Sequence, residues 1–216
     1  MKKNIIISLL LISILFMGYS CTSTHLIKEW KNPTIDTLYV SKILIVGMTS
    51  NLEARKKFEK LLKKEYEAKG IEAVMSLELF DPSFTTEKKS PAELKAIENQ
   101  LTSNFFDAVL FTKVVGVEDK VDYSITYKDE KYLDIKFKED YYSNQEIYYN
   151  PKYYSKYKVY HAETSLYCIC STKDRELIWK GYIDIIDPTS IGETVNDYIN
   201  LLLLTLENQN LIYPLN

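Results

Sequence analysis

The chain has 216 residues, 46% of them hydrophobic and 26% charged, a globular composition that excludes a disordered or fibrous protein. Its 27 basic and 30 acidic side chains give a net charge of −3, without the basic surplus that nucleic acid or an anionic lipid surface demands. Six glycines and two histidines leave little for glycine-rich phosphate loops, metal sites or catalytic triads, so no cofactor or metal is expected.

Lys2 and Lys3 make a short basic start, and Ile5 to Met17 follows as an apolar run broken only by Ser8 and Ser13. A spanning helix needs about 20 apolar residues, so this shorter run predicts a secretory signal peptide over residues 1–20. Its removal leaves 196 residues, enough for one well-buried domain. The run ends at Gly18-Tyr19-Ser20-Cys21. This resembles a bacterial lipobox of the looser Bacteroidetes type, in which small residues precede a cysteine that is diacylated and becomes the first residue of the mature protein. The resemblance implies that Cys21 carries lipid, and two or three acyl chains anchor a protein stably at roughly 0.8 kcal/mol per buried methylene. Thr22-Ser23-Thr24-His25 contains no acidic cluster of the sort that resembles a surface-export signal in that lineage. The expected location is therefore the outer membrane, facing the periplasm.

Residues 21–39 read as the lipidated cysteine and a tether, with Trp30 packing on the domain edge, and residues 40–216 as one α/β domain. Lys42 to Met48 is a continuous apolar run, as in a strand buried on both faces. Ser50-Asn51-Leu52-Glu53 predicts a capping box. The helix after it runs to about Lys69, burying Leu52, Phe58, Leu61, Leu62 and Tyr66, and Gly70 stops it. Ile71 to Leu77 reads as a second strand. Ser90-Pro91-Ala92-Glu93 is another capping box, with proline where its missing N–H costs nothing, and opens a helix to about Asn104. Asp107 to Val117 is a third strand. This β-α-β-α-β order predicts a mixed sheet with helices on its faces.

Beyond Val117 the period changes to two. Val121, Tyr123, Ile125 and Tyr127, then Leu133, Ile135 and Phe137, alternate with polar residues about a charged tip and predict a hairpin. Its arms are too short for the ~9–11 residues of a membrane-spanning strand. Residues 139–156 read as a surface loop. Tyr157 to Thr172 and Arg175 to Asp187 predict a second hairpin, turning at Lys173-Asp174. Ser190 to Glu193 is a third capping box, starting a helix that buries Ile191, Val195, Ile199 and the Leu201–Leu204 run, and Leu211-Ile212-Tyr213 a short edge strand.

The sequence contains no G-x-G-x-x-G, P-loop, H-E-x-x-H or G-x-S-x-G motif. Paired His-x-Lys-x4-Asp motifs of the phospholipase-D type are also absent, since Ile27 follows His25 and Glu163 follows His161 at the critical spacing. His161 and Glu163 share a strand face, either as an exposed hydrogen-bonded pair or as an acid–base pair or half of a metal site. Cys168 and Cys170 also share a face. Parallel Cβ vectors suit a disulfide poorly, so both read as buried free thiols. Asp184 and Asp187 flank a helix start, where carboxylates cap or hold a cation. Eleven of the 18 tyrosines lie between residues 120 and 160. Tyr141, Tyr142, Tyr148, Tyr149, Tyr153 and Tyr154 form the candidate contact surface, because tyrosine supplies apolar area and a polar tip at low entropic cost. A compositional bias of the whole chain is the alternative.

The element order resembles the envelope lipoprotein domain shared by the curli secretion lipoprotein, the penicillin-binding-protein activators and the TolB amino-terminal domain. The residues that carry the likeness are the strand Lys42 to Met48, the helix after Ser50, the segment Leu177-Ile178-Trp179-Lys180-Gly181 and the helix after Asp187-Pro188. The likeness spans residues 40–213 and implies a non-enzymatic protein that scaffolds or activates envelope machinery through protein contacts or self-association. Two other readings are a glycan or small-ligand carrier using the tyrosines and a hydrolase using His161, Glu163, Asp184 or Asp187. The hydrolase requires those side chains to converge in one pocket.

Overall fold

The computed structural model describes residues 23–85, 87–123, 136–139, 141–142, 154–169 and 175–215. Its elements in chain order are β1 (Thr24–Lys31), β2 (Leu38–Val40), β3 (Lys42–Met48), α1 (Leu52–Ala68), β4 (Glu72–Met75), the one-turn α2 (Ser76–Leu79), α3 (Pro91–Ser103), β5 (Ala108–Tyr123), β6 (Tyr154–Cys168), β7 (Leu177–Ile186), α4 (Ile191–Asn208) and β8 (Leu211–Pro214). Six strands form a mixed sheet in the order β1-β7-β6-β5-β3-β4, and β2 pairs with β8 in a separate two-stranded sheet. The β3–β4 and β3–β5 pairs are parallel, and the other pairs of the main sheet are antiparallel.

Local chemistry explains the element ends. Asn51, not Ser50, caps α1, its side chain accepting from the Ala54 N–H, and Gly70 ends the turn after it at φ 83°, where a side chain is disfavoured. Ser90 and Glu93 close a full capping box at α3, with Pro91 at the first helical position. Ser190 caps α4 by accepting from the Glu193 N–H.

The main core lies between the sheet and the pair α1 and α4. Ile43, Ile45, Leu110, Leu166, Trp179 and Ile183 face Phe58, Leu62, Tyr66, Ile199, Leu202 and Leu206. Trp179 is fully buried, and its ring covers Gly181, where a Cβ would stand 2.2 Å from the indole. A smaller core on the opposite face packs Leu44, Val46 and Phe111 against Leu101 and Ile97 of α3.

Several sequence expectations need correction. The stretch expected to be a tether contains β1, which pairs with β7 from Thr24↔Ile185 to Lys31↔Trp179 and forms the sheet edge. The third strand does not stop at Val117. It continues to Tyr123 and pairs with β6, so Val121 and Tyr123 lie opposite Lys156 and Tyr154 instead of residues 133–137. The second strand is shorter than expected, because Ser76 turns the chain into α2. Leu52 and Leu204 are exposed, facing away from the sheet on their helices. Cys168 is buried but disulfide-bonded, which overturns the reading of two free thiols. The strand that carried that expectation ends at Cys168.

A cleft and a charged sheet face as candidate functional sites

The acid–base candidates lie on the sheet face opposite α1 and α4. The pleat puts His161, Glu163 and Ser165 of β6 on that face, with Lys180, Tyr182 and Asp184 of β7 beside them. His161 Nδ1 lies 2.7 Å from the Asp184 carboxylate directly across the ladder, and its Nε2 lies 3.6 Å from Glu118. On the other side, His25 of β1 stands in register with Asp184, so the chain's two histidines flank one carboxylate. Asp184 therefore holds His161 and does not cap α4. Asp187 sits at φ 46°, three residues before the capping Ser190.

Glu163 is almost fully buried between two lysines, with Lys113 Nζ at 2.9 Å and Lys180 Nζ at 2.8 Å. Burial raises its carboxyl pKa, but hydrogen bonds from Lys180 and then Lys113 outweigh this and hold it at about 2. A carboxylate committed to two ammonium groups is a poor proton carrier at neutral pH. Among the described residues, no group of three or more His, Cys, Asp or Glu is placed to hold a metal ion.

A cleft of about 380 Å³ opens on the other face, where β3 and β7 finish. Thr112, Val114, Ala162 and Ile185 form its floor, and the first turns of α1 and α4 form its walls. Among the described tyrosines of the 120–160 region, Tyr160 lines it. Below the floor, Thr112, Thr164 and Tyr198 join their hydroxyls through two 2.7 Å hydrogen bonds. Burial raises the Tyr198 hydroxyl pKa, keeping it protonated. Arg55 borders the cleft but is spent internally. It is 2% exposed and donates to Glu59, Ser76, Thr85 and the Pro82 carbonyl, while Glu59 also accepts from Gly47 N–H and Leu77 N–H. Periodicity assigns α1's inward face to apolar residues and does not reveal this pair, although the Arg55–Glu59 spacing of four is visible in the sequence.

Of the candidate contact tyrosines, Tyr141 and Tyr142 are exposed and packed edge to face, with Phe137 stacked on Tyr141. Tyr154 starts β6. Tyr148, Tyr149, Tyr153, Cys170 and Cys21 lie outside the described residues, as does the expected turn at 173–174. Five residue pairs of the β5–β6 ladder, from Asp119↔Lys158 to Tyr123↔Tyr154, extend beyond the last β3 and β7 pairings. At about 3.3 Å per residue they form a two-stranded arm roughly 17 Å long. Val115, Val117 and Val121 are exposed at its base and along it.

The chain is thus an α/β domain with an open mixed sheet, a cleft at the strand ends and a projecting arm. No protein-family model matches it, and neither does any curated protein. Among solved structures it is similar to the PelC dodecamer from Paraburkholderia phytofirmans, at 10% identity and a TM-score of 0.43, over 87% of this chain and 98% of that one. A variant of that dodecamer gives 12% identity and a TM-score of 0.43, over 83% and 95% of the two chains. Lipoprotein GNA1162 from Neisseria meningitidis gives 14% and 0.39, over 78% and 99%.

Proposed function

We propose that this protein is a non-catalytic, lipid-anchored cell-envelope protein that binds or scaffolds another envelope component, itself included. The observation that carries this reading is the β5–β6 arm. An exposed Val121 on a two-stranded ladder, with exposed Val115 and Val117 at its base, gains little from folding alone and suits a contact with another chain. The arm also precedes the tyrosine-rich segment, in which Tyr141 and Tyr142 are exposed. Lipid on Cys21 would confine this surface to one membrane, where raised effective concentration makes modest affinity sufficient. The hydrolase reading requires one pocket, whereas His161, Glu163 and Asp184 lie across the sheet from the cleft.

A photo-crosslinking residue in place of Val121, in intact cells making the lipidated protein, tests the reading. Recurrent adducts with one envelope protein or with a second copy support it. Absence of adducts from Val121 and from Tyr141, with a control crosslink working, rejects the arm as the contact surface. Cys21→Ala is expected to release the protein from the membrane fraction, and full retention there rejects the anchor.

A further inference from the structure

We propose that the outward face of α1 docks on an anionic lipid bilayer through the row Lys56, Lys60 and Lys64. The inference goes beyond the adaptor reading, and one of its supports rests on the lipid proposed at Cys21.

Helix geometry sets the row. Leu52, Lys56, Lys60 and Lys64 recur every four residues, so they share one face of α1, and all four are exposed. The cations of this helix that meet other elements find acids. Arg55 bonds Glu59, Lys63 bonds Glu67 and Glu78, and Lys69 at the helix end bonds Glu207. Among the described residues the three lysines of the row form no ion pair or hydrogen bond. Like charges four residues apart weaken a helix, so the row adds nothing to the fold. Glu53 offsets one charge at its start, whereas Glu65 is turned about 140° from Lys60. The net charge of −3 conceals this face, because the acids lie elsewhere. The overall balance, which gives no reason to expect an anionic lipid surface, is therefore a poor guide to it.

Three features select a bilayer over an acidic protein. The row holds lysine and leucine alone, and lysine is depleted at protein interfaces, where arginine and aromatic residues make the fixed contacts. Its charges are spread along about 12 Å of one helix instead of converging on a point, as an array of head groups requires. Beside α1, α4 adds the exposed Leu204, while its acids Glu193 and Glu207 are committed to Ser190, Thr189 and Lys69. The chain also enters the fold at this layer. The Ser23 N–H and hydroxyl both donate to the Asp197 carboxylate of α4 at 3.4 Å, and Cys21 stands two residues earlier. Lipid there would bring the helix layer to the membrane, where basic side chains add to the hold.

The test uses the full chain carrying Cys21→Ala, so that no covalent lipid contributes. It is sedimented with vesicles of phosphatidylcholine alone or with about one third phosphatidylglycerol. At about 30 mM salt, binding is expected to the anionic vesicles only, and to weaken as salt rises to about 150 mM. Each lysine at an anionic surface contributes roughly fivefold, so Lys56→Gln with Lys60→Gln should weaken binding about twentyfold. Lys28→Gln with Lys95→Gln makes an equal change of net charge on the opposite face of the sheet and should leave binding within about threefold. Glutamine keeps the helix propensity of lysine, and a circular dichroism melt checks that both variants fold. Absent binding to anionic vesicles at low salt, equal binding to both vesicles, or equal loss in the two double variants overturns the proposal. A photo-crosslinking residue in place of Lys60 that marks a protein instead of lipid in intact cells also overturns it, in favour of an acidic partner. Salt at cellular strength screens the row, so Cys21→Ala is still expected to leave the membrane fraction. Residual binding that a salt wash removes belongs to the row and not to the anchor, so the two readings fail separately.

Discussion

Glu59 and Glu163 are both buried carboxylates held by cations, one on each side of the main sheet, and they are assembled differently. Glu59 meets Arg55 one turn away on the same helix, and both sink fully among Ser76, Thr85 and backbone groups, joining α1, β3 and α2. Glu163 draws its partners from neighbouring strands, and the Lys113 and Lys180 side chains remain 33% and 26% exposed. On the helix-covered face, polar groups cross-link layers away from water. On the opposite face, charge is neutralised across strands where solvent still reaches it.

Breaking the enclosed pair should have the largest effect. Glu59→Ala leaves the Arg55 guanidinium buried without its carboxylate and should cost about 3–5 kcal/mol. Urea denaturation measures this, and a loss under about 1 kcal/mol would mean that the pair is solvated. Glu163→Gln should cost less, on the order of 2–3 kcal/mol at neutral pH. Because the folded carboxyl pKa is depressed, its stabilisation is full above the unfolded pKa near 4.5 and is lost as pH falls towards about 2. The wild-type denaturation midpoint should therefore fall across that window, and Glu163→Gln should flatten the fall. An identical pH profile in both proteins would remove Glu163 as its source.

The smallest effect has the opposite sign. Tyr66 is 1% exposed on the helix-covered face, and its hydroxyl has no hydrogen-bond partner, an exception to the rule set by Glu59. Tyr66→Phe should be neutral or stabilising by up to about 1 kcal/mol in thermal melts. Destabilisation by that amount would indicate a hydroxyl partner in solution.

The α/β class, the helices and most strands are legible in the sequence because their signals are short-range. Ser90-Pro91-Ala92-Glu93 and Ser190 cap helices through contacts three residues away. Strand identity is equally local, but strand pairing is not. Residues 24–31 carry charges and an exposed Ile27, so periodicity gave no reason to place them in the sheet. They pair with β7, some 150 residues away, whose exposed edge needs backbone partners. Likewise, alternation at 121–127 announces a strand without naming its partner, and the ladder to residues 154–156 prevails.

The sites follow the same division. By itself the sequence determined which residue types were available: two histidines, few glycines, a cysteine after an apolar leader and a tyrosine-rich stretch. It also determined that His161 and Glu163 share a strand face, because the pleat repeats every two residues. Only the tertiary structure decided that Asp184 and His161 pair and that two lysines enclose Glu163. Each of these contacts joins residues brought together by strand order and helix packing. Local propensity does not encode such encounters; they exist once apolar burial has brought the layers together.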